Sequence, residues 1–432
     1  MSEVSKFYKI AKNELFRLNR SITGEGLKKT LKIYKKNFPE LKIKSIRSGK
    51  KVFDWKVPPE WNIKNAYIMD KDHKMIVNFK ENNLHLVGYS KPINKIIKKK
   101  ELFKKLHSLK NQPSAIPYVT SYYKKDWGFC ISHNKKKKLD KIYKPNDEFK
   151  VVIDSSFNKN GKLNYGELAI KGNTKNEILI STYICHPSMA NNELSGSIVS
   201  LSLIDFFKKK KLDKSLRFIF IPETIGSIAY ISKNLRDLKN NFIGGYNLSC
   251  IGDEKNYSCI LSKYENTHVD YSLIEAFKNL GIKYKKFSFL KRGSDERQFN
   301  HPGVDFPMAT ICRSKFFEYP EYHTSLDNFH LVTEKGLEGG YKVAKEAIKI
   351  LMKKIIPKSI TICEPNMGKR GLYNKLSIKT NYGNKNSTKN FLSFLQYSDG
   401  KNDLNQISKY LNLKVSEVEK IYSILKKKKL VR

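Results

Sequence analysis

The stretch 177–207, EILISTYICHPSMANNELSGSIVSLSLIDFF, decides the fold of this chain. Residues 177–184 form an apolar run typical of a buried strand, and residues 196–207 have the pattern of a helix. Between them lies a polar loop that begins with His186. A strand, a polar loop and a helix in this order predict one unit of an α/β sheet.

The same alternation of apolar runs and amphipathic helices continues over residues 148–356. Residues 216–221 read as a second strand and residues 336–353 as a further helix. This alternation predicts an α/β sheet with helices on both faces. Residues 1–48, which are largely helical in periodicity, are assigned to the same core.

Residues 49–147 have a different pattern, with short alternating runs between Pro, Gly and Asn turn signals. The pattern predicts a small β-rich domain inserted into the core. All three tryptophans of the chain, Trp55, Trp61 and Trp127, lie in it. Two interpretations stay open: a compact core with aromatic anchors, or a wall that contributes to a binding cleft.

The C-terminal part follows a linker over 357–388 that is rich in Pro, Gly, Asn and Lys. Short helices over 403–411 and 416–427, followed by a terminal strand, predict a winged-helix domain assigned to residues 365–432. Its second helix is poor in the Arg, Asn and Gln side chains that read base edges. We therefore expect a packing or protein-interaction role for it rather than recognition of DNA.

The net charge of +42 comes mostly from lysine, which is spread along the chain. Arginine, the usual source of bidentate phosphate and base contacts, is scarce. We expect salt-sensitive attraction to polyanions but no specific nucleic-acid partner. The six cysteines include no CxxC pair, which argues against a zinc ribbon and a disulfide framework.

The sequence contains no apolar stretch of membrane-spanning length and no apolar segment of a secretory signal near Met1. We therefore expect no membrane association and a cytoplasmic location. Formation of a homo-oligomer is left open.

Four segments carry residues that suit a metal site. His186 and Glu223 each follow an apolar strand-like run, as does Asp253, and His323 lies in a loop over 318–328 that is dense in ligand-type residues. Open α/β sheets place their sites at the carboxyl ends of strands. Two imidazoles and two carboxylates that meet there are what a catalytic zinc ion requires.

These segments resemble those of zinc aminopeptidases of the leucyl-aminopeptidase and glutamate-carboxypeptidase superfamily. They resemble more closely an aminopeptidase-like family associated with polysaccharide biosynthesis. The resemblance covers nearly the whole chain, and its most specific stretches are 185–196, 222–227, 293–299 and 318–327. It implies a zinc-aminopeptidase-like α/β fold with an inserted β-rich domain and a C-terminal winged helix.

The resemblance also implies roles for single residues. His186 and His323 match the two metal-binding histidines, and Glu223 matches the general-base glutamate. Asn192 stands where the family has an aspartate that bridges two metal ions. Asp253 stands near the position of a further metal-binding aspartate, although this alignment is loose.

The dipeptide Ser294-Asp295 resembles the one that precedes substrate-contacting residues in the family. Asp295 and Arg297 are therefore candidate catalytic residues. Arg297 would anchor a substrate carboxylate or stabilise an oxyanion. The alternative for Arg297 is an ion pair with Asp295 or Glu296.

Three departures from the family pattern weaken a two-metal centre. Asn192 replaces the bridging aspartate, and Thr224 replaces a carboxylate of the second metal. Ser188 replaces the acid that usually supports the first histidine. One zinc ion is therefore expected rather than two.

That ion would be bound by His186, Asp253 and His323, or by a set that includes Glu223. If Glu223 is a ligand, Glu318 or Glu321 would be the base.

The sequence thus predicts a metal-dependent hydrolase of aminopeptidase type in which zinc-activated water attacks an amide bond. The substrate would be a small peptide or an aminoacyl or N-acyl sugar. The sugar follows only from the resemblance. The alternative is a non-catalytic binding module with a degraded metal site, acting in polysaccharide biosynthesis.

Overall fold

A computed structural model of the chain describes residues 2–373 and 388–432. Its strands in chain order are β1 (Lys42–Arg47), β2 (Lys51–Val52), β3 (Trp55–Lys56), β4 (Glu60–Asp70), β5 (Met75–Asn78), β6 (Ile93–Lys98), β7 (Leu106–His107), β8 (Phe129–Cys130), β9 (Glu148–Asn158), β10 (Lys162–Ile170), β11 (Glu177–Tyr183), β12 (Ser215–Ile221), β13 (Phe242–Leu248), β14 (Ser258–Ile260), β15 (Lys285–Phe287) and β16 (Met308–Cys312). Its α-helices are α1 (Ser5–Ile10), α2 (Glu25–Asn37), α3 (Lys99–Leu102), α4 (His133–Ile142), α5 (Ser195–Phe207), α6 (Ile225–Asn241), α7 (His268–Asn279), α8 (Glu296–Phe299), α9 (Glu334–Lys353), α10 (Thr388–Gln396), α11 (Leu404–Leu411) and α12 (Val415–Lys427).

An eight-stranded mixed sheet forms the centre of the molecule, in the order β1-β10-β12-β11-β13-β16-β14-β15. The middle strands β12, β11, β13 and β16 run parallel, and antiparallel pairs flank them on both sides. Parallel strands require crossover connections. The helices α5 and α6 supply two of these connections, because α5 follows β11 and α6 follows β12.

Both faces of the central sheet are covered, as the alternation of side chains along β11 shows. Ile178 and Ile180 pack into one hydrophobic cluster together with residues of α2, α5, α7 and α9. Leu179 points to the other face and packs into a second cluster with α6 and the inserted sheet. A strand buried on both faces reads as a continuous apolar run, which explains the pattern in the sequence.

A four-stranded sheet in the order β5-β4-β9-β6 corresponds to the predicted β-rich insertion. Its strands pair antiparallel, and the long strands β4 and β9 pair along most of their length. β9 (Glu148–Asn158) lies on the core side of the boundary expected at residue 147, and it belongs to this smaller sheet by pairing.

Helix α5 approaches the sheet closely at its first turn. A side-chain carbon on Gly196 would lie 2.3 Å from both the carbonyl oxygen of Leu248 and the hydroxyl of Thr182. Only glycine fits there, since such distances are far below van der Waals contact. A short π-helical segment, Ala190–Leu194, leads into the helix and forms the loop after His186.

Helices α10, α11 and α12 pack around their own hydrophobic cluster, which includes Phe394, Ile407 and Ile421. Val431 pairs with Ser359 in an isolated antiparallel bridge beside them. The central part of the expected linker, residues 374–387, lies outside the described residues. The fold class predicted from the sequence, a mixed α/β core with a C-terminal winged helix, is confirmed.

The winged helix contacts the core directly. Lys354 lies 3.3 Å from Asp403, and a ring nitrogen of His268 lies 2.9 Å from the carbonyl oxygen of Lys401. A cleft of about 1030 Å³ separates the two parts, and Tyr422 and Lys426 of α12 line it. This side of α12 therefore faces the core.

Within the described ranges, no helix combines the length and the apolar character that crossing a membrane demands.

Candidate active site

The candidate site lies at the carboxyl ends of three neighbouring parallel strands. β12, β11 and β13 are adjacent in the central sheet. Glu223, His186 and Ser249 follow these strands closely. Because parallel strands end at the same edge, the residues that follow them converge. The structure brings Nε2 of His186 to 3.8 Å from Oε2 of Glu223.

A buried carboxylate that the sequence reasoning missed supports His186 from behind. Nδ1 of His186 lies 3.2 Å from Oε2 of Glu193. Arg20 pairs with the other oxygen of Glu193 at 2.9 Å, and both side chains are fully buried. The motif around His186 contains Glu193, but nothing in its spacing distinguishes it from a helix-forming residue. Ser188 instead accepts a hydrogen bond from Asn83.

His323 approaches the same edge from its own loop. Its ring stacks on Tyr322, with ring centroids 4.0 Å apart, and lies 5.4 Å from the ring of His186. Its Nε2 is buried and has no hydrogen-bond partner in the part of the chain that the structure describes. Burial, aided by His186, lowers the pKa of His323 to about 3, so its imidazole is neutral. A neutral imidazole is the form that binds metal ions.

Asp327 fixes the loop of His323 against the loop of His186. Its carboxylate accepts hydrogen bonds from the backbone N–H groups of Ala190 and Asn192, at 3.0 Å each, and from that of Asn191. It also accepts from the hydroxyl of Tyr319 at 3.1 Å. One carboxylate therefore sets the spacing of the two loops that carry the histidines.

The electrostatic surroundings favour a general base at Glu223 and a positive charge at His186. Burial raises the pKa of Glu223, and His186 and Arg297 only partly oppose the shift. A raised pKa suits a general base. Burial disfavours a charge on His186, yet Cys185, Glu193 and Glu223 together raise its pKa well above the ordinary value. The site thus stabilises positive charge at this imidazole.

Asn192 belongs to a buried polar chain beside the histidines. Its Oδ1 accepts a hydrogen bond from the hydroxyl of Tyr183, which lies 2.7 Å from the hydroxyl of Ser249. Its Nδ2 is buried and has no partner among residues 2–373 and 388–432. The position expected to bridge two metal ions therefore holds an amide with one unused donor.

Asp253 has a different set of contacts from the one expected of a ligand. Its carboxylate accepts hydrogen bonds from the N–H and hydroxyl of Ser314, both at 2.8 Å, from the N–H of Lys255 at 2.9 Å and from Asn191 at 3.1 Å. Donors therefore occupy both oxygens, and these contacts hold loops together. Because β13 ends at Leu248, Ser249 and not Asp253 contacts the polar chain of Asn192. Metal binding by Asp253 stays a prediction, and the geometry favours His186, His323 and Glu223 as the metal-binding set.

Asp295 and Arg297 meet Thr224 at the start of α6. The carboxylate of Asp295 accepts from the N–H of Thr224 at 2.8 Å, and Arg297 donates to the hydroxyl of Thr224. Burial and the nearby Glu223 raise the pKa of Asp295 to about 7. Oδ2 of Asp295 and Nε of Arg297 are buried without partners in the described parts of the chain.

Glu296, the other suggested partner of Arg297, instead accepts hydrogen bonds from the backbone N–H groups of Gly293 and Ser294. The two alternatives for the base are also engaged elsewhere. Glu321 lies 2.7 Å from Lys255, and Glu318 lies 4.0 Å from Lys315.

A cavity of about 230 Å³ opens beside His186 and Glu223. The inserted domain contributes Trp55 and Tyr123 to its lining, and these two rings pack edge to face at 5.4 Å. Trp61, in contrast, is buried in the interior of the inserted domain and stacks on Tyr89. Trp61 is therefore an anchor of the core, whereas Trp55 and Tyr123 line a cavity, and a binding role for that cavity stays a prediction.

At this edge of the sheet, two sets of described side chains carry ligand-type atoms close to one another. Cys185, His186 and Glu193 place ligand-type atoms within 4.8 Å of one another. In this set, however, Glu193 already accepts from Arg20 and two backbone N–H groups, and the sulfur of Cys185 accepts from the N–H of Glu223. Glu193 is therefore a support rather than a ligand.

The second set is His186, His323 and Glu223. Nε2 of His323 lacks a partner in the described chain, and Nε2 of His186 lies next to a carboxylate. Two imidazole nitrogens and one carboxylate fit the donor chemistry of one zinc ion. A second ion would require further carboxylates, and at the positions where the family resemblance implies them the chain has Asn192 and Thr224.

Comparisons with known proteins agree with this fold. Residues 8–354 match the family described as "Domain of unknown function (DUF4910)", and residues 355–432 match a winged helix-turn-helix family. A relative from Clostridium acetobutylicum, described as a candidate polysaccharide biosynthesis protein with an aminopeptidase-like domain, is 41% identical over 404 residues. The match covers 91% of this chain and 89% of the relative.

Two solved structures are similar to this one. A candidate peptidase from Clostridium acetobutylicum superposes with a TM-score of 0.78 at 36% identity, over 99% of this chain and 96% of the other. A zinc aminopeptidase from Bacillus subtilis superposes with a TM-score of 0.59 at 16% identity, over 82% of this chain and 95% of the other. The second likeness concerns the fold alone. With its α/β core matched over residues 8–354, this chain belongs to the DUF4910 family and carries a C-terminal winged helix-turn-helix domain.

Proposed function

We propose that the chain is a metal-dependent hydrolase of the aminopeptidase type that cleaves an amide bond. The observation that carries this proposal is the meeting of His186, His323 and Glu223 at the carboxyl edge of the sheet. His186 and His323 would hold a single zinc ion. When bound, zinc lowers the pKa of a water molecule and polarises a carbonyl group.

Glu223 has two alternative roles in this proposal. As a general base, it would take a proton from the attacking water and pass it to the leaving nitrogen. Its pKa, raised by burial, favours this role. As a third ligand, it would complete a set of two histidines and one carboxylate, and its 3.8 Å separation from Nε2 of His186 suits that role as well.

Arg297 would anchor a substrate carboxylate or stabilise the oxyanion that develops during attack. The buried, unpartnered Nε of Arg297 supports this assignment within the described chain. Asp295 would position the start of α6 through Thr224 and Ser227, which donate to its Oδ1 at 2.8 and 2.7 Å.

The substrate would be a small peptide or an aminoacyl or N-acyl sugar. The cavity beside Glu223 is small, and Trp55 and Tyr123 give it one aromatic wall. Aromatic rings bind flat apolar surfaces. The sugar alternative rests on the pathway alone, because the Clostridium acetobutylicum relative is described as acting in polysaccharide biosynthesis and its description names no substrate.

A second candidate function follows from Asn192 and Thr224, which leave the site short of carboxylates. In this alternative the chain is a non-catalytic binding module that keeps the aminopeptidase fold and acts in the same pathway.

We also propose that residues 1–48 and 148–356 form the catalytic domain, that residues 49–147 form the insertion and that residues 365–432 form the winged helix. The protein would act in the cytoplasm without specific nucleic-acid binding, and a homo-oligomer is left open.

Zinc content and amide hydrolysis test the two functions against each other. Purified protein should carry about one zinc ion per chain, and a chelator should lower its free energy of unfolding, because a ligand that binds only the folded state stabilises it. Glu223→Gln should abolish hydrolysis of aminoacyl amides or N-acyl sugars. Less than about 0.2 zinc per chain, together with unchanged stability in chelator, would favour the binding module.

A further inference from the structure

The support beneath His186 is a three-part arrangement of His186, Glu193 and Arg20. The side chains of Glu193 and Arg20 have no exposed surface, and that of His186 is 6% exposed. Arg20 comes from the segment between α1 and α2, far from His186 in sequence. Its Nε also donates to the carbonyl oxygen of His186 at 3.1 Å. The N-terminal helices are thus tied to the candidate site.

The carboxylate of Glu193 accepts hydrogen bonds from His186, from its neighbour Cys185 and from Arg20. Its Oε2 accepts from the backbone N–H of His186 at 2.8 Å and from that of Cys185 at 3.0 Å, and Nδ1 of His186 lies 3.2 Å away. Its Oε1 accepts from Arg20 at 2.9 Å. A carboxylate only accepts, so Nδ1 must carry the hydrogen. The other ring nitrogen, Nε2, faces Glu223, and it is the nitrogen that offers a lone pair when the imidazole is neutral.

The ion pair itself is a poor explanation for why both residues are buried. Burying two charges costs desolvation energy that their attraction often only balances. Nη2 of Arg20 is moreover buried without a hydrogen-bond partner within the described residues, which adds to the cost. The buried Arg20–Glu193 pair costs stability and contacts the imidazole of His186, which indicates that the pair is kept for function.

We propose that Glu193, held in place by Arg20, is the positioning residue of His186: it fixes the ring orientation and the Nδ1–H tautomer so that Nε2 is presented to a metal ion. The role in metal binding rests on the proposed function. Carboxylates that accept from a ligating histidine raise its basicity and fix its tautomer. Glu193 would thus supply the carboxylate that supports His186. Ser188, at the position where the family has an acid, accepts a hydrogen bond from Asn83 instead.

The test compares Glu193→Gln with the unchanged protein in two measurements. Zinc affinity, measured by competition with a chromophoric chelator, should fall about 10- to 100-fold. Long-range ¹H–¹⁵N spectra of histidine-labelled, zinc-free protein, recorded at a pH at which His186 is neutral, should show the Nδ1–H tautomer of His186 in the unchanged protein and a tautomer mixture in the variant.

The matched control is Glu177→Gln, which removes the carboxylate from another, partly buried Arg–Glu pair. Glu177 accepts two hydrogen bonds from Arg217, at 2.8 and 2.9 Å, at the opposite end of β11. This control should lose stability but leave both the zinc affinity and the His186 signals unchanged. Because Glu193→Gln leaves Arg20 without a counter-charge, the double variant Arg20→Met/Glu193→Gln is measured alongside it and should show the same two changes.

The outcomes separate the two proposals. If the unchanged protein does not bind zinc, the proposed function fails, and the tautomer of His186 still decides whether Glu193 positions the ring. If zinc affinity in both Glu193 variants stays within about twofold of the unchanged protein and the tautomer does not change, the positioning role is refuted.

Discussion

The substitution Asn192→Asp replaces one amide nitrogen by an oxygen, and it tests the proposed metal site directly. The side chain of Asn192 is buried, its Oδ1 accepts from Tyr183, and its Nδ2 has no partner in the described chain. Asn192→Asp preserves the shape and the hydrogen bond from Tyr183. It removes the unused donor and adds a negative charge beside the two histidines.

Without metal, the variant should be less stable than the unchanged protein. The new carboxylate would be buried close to Asp327, whose carboxylate already accepts from the N–H of residue 192 at 3.0 Å. Desolvation and like charges both raise the pKa of a carboxyl group, and a tenfold change in its protonation equilibrium corresponds to about 1.4 kcal/mol. We expect a loss of about 1–3 kcal/mol at pH 7, most of it relieved if the carboxyl group stays protonated.

When zinc is bound, the effect of Asn192→Asp on stability should be the opposite, and the variant should gain stability relative to its zinc-free form by more than the unchanged protein does. An added carboxylate gives the ion a further anionic ligand, and we expect zinc affinity to rise by about tenfold or more, which corresponds to about 1.4 kcal/mol per tenfold. The assay is urea unfolding with and without zinc, together with a zinc competition titration. The change in unfolding free energy on adding zinc should be larger for the variant than for the unchanged protein.

Asn191→Asp is the matched control for this prediction. Asn191 is fully buried and adjacent in sequence, but its side chain contacts Asp253 at 3.1 Å and the N–H of Gly252 at 2.8 Å. This control should lose stability without gaining zinc affinity. Equal zinc affinity in Asn192→Asp and the unchanged protein, or an equal gain in Asn191→Asp, would refute the reasoning that places residue 192 at the metal.

Three further predictions follow from single residues. Asp253→Asn should lower stability by about 1–3 kcal/mol in urea unfolding, because it disturbs four buried hydrogen bonds, and should leave zinc content unchanged; loss of zinc would restore Asp253 as a ligand. Trp55→Ala and Tyr123→Ala should raise KM for the hydrolysed amide with little change in kcat, since both line the cavity but neither is assigned a role in proton transfer or metal binding; a fall in kcat alone would contradict this. Burial lowers the pKa of Lys214 from 10.5 to about 8, so the unfolded chain binds more protons between these values and stability should rise with pH over that window; Lys214→Met should remove this rise, and an unchanged slope would refute the assignment.

The ends of β11 and β12 were predictable because the apolar run that marks each strand is a local feature of the sequence. The apolar run before His186 and the one before Glu223 each mark a strand buried on both faces. Since parallel strands finish at one edge, the sequence pattern alone was enough to expect these two residues to converge. The winged helix was likewise visible in the spacing of its helices.

The end of β13 was harder to predict from the sequence, because the apolar run there does not stop where the strand stops. The apolar run continues past Leu248 to Ile251 in the sequence, but the strand ends at Leu248. A difference of a few residues at a strand end decides which side chain reaches the edge, and such boundaries depend on pairing with neighbouring strands. Ser249 therefore contacts the site, whereas Asp253 holds loops together.

The sequence by itself determined the α/β class and indicated the histidines and the glutamate of the candidate site, and the family resemblance added the expectation of a single metal ion. Only the tertiary structure decided what surrounds them: Arg20 and Glu193 beneath His186, and Trp55 and Tyr123 beside Glu223. The physical reason is the range of the interactions. Periodicity and strand ends depend on neighbouring residues, whereas the contacts of Arg20, Trp55 and Tyr123 join segments far apart in the chain that meet only when the two sheets and the N-terminal helices pack together.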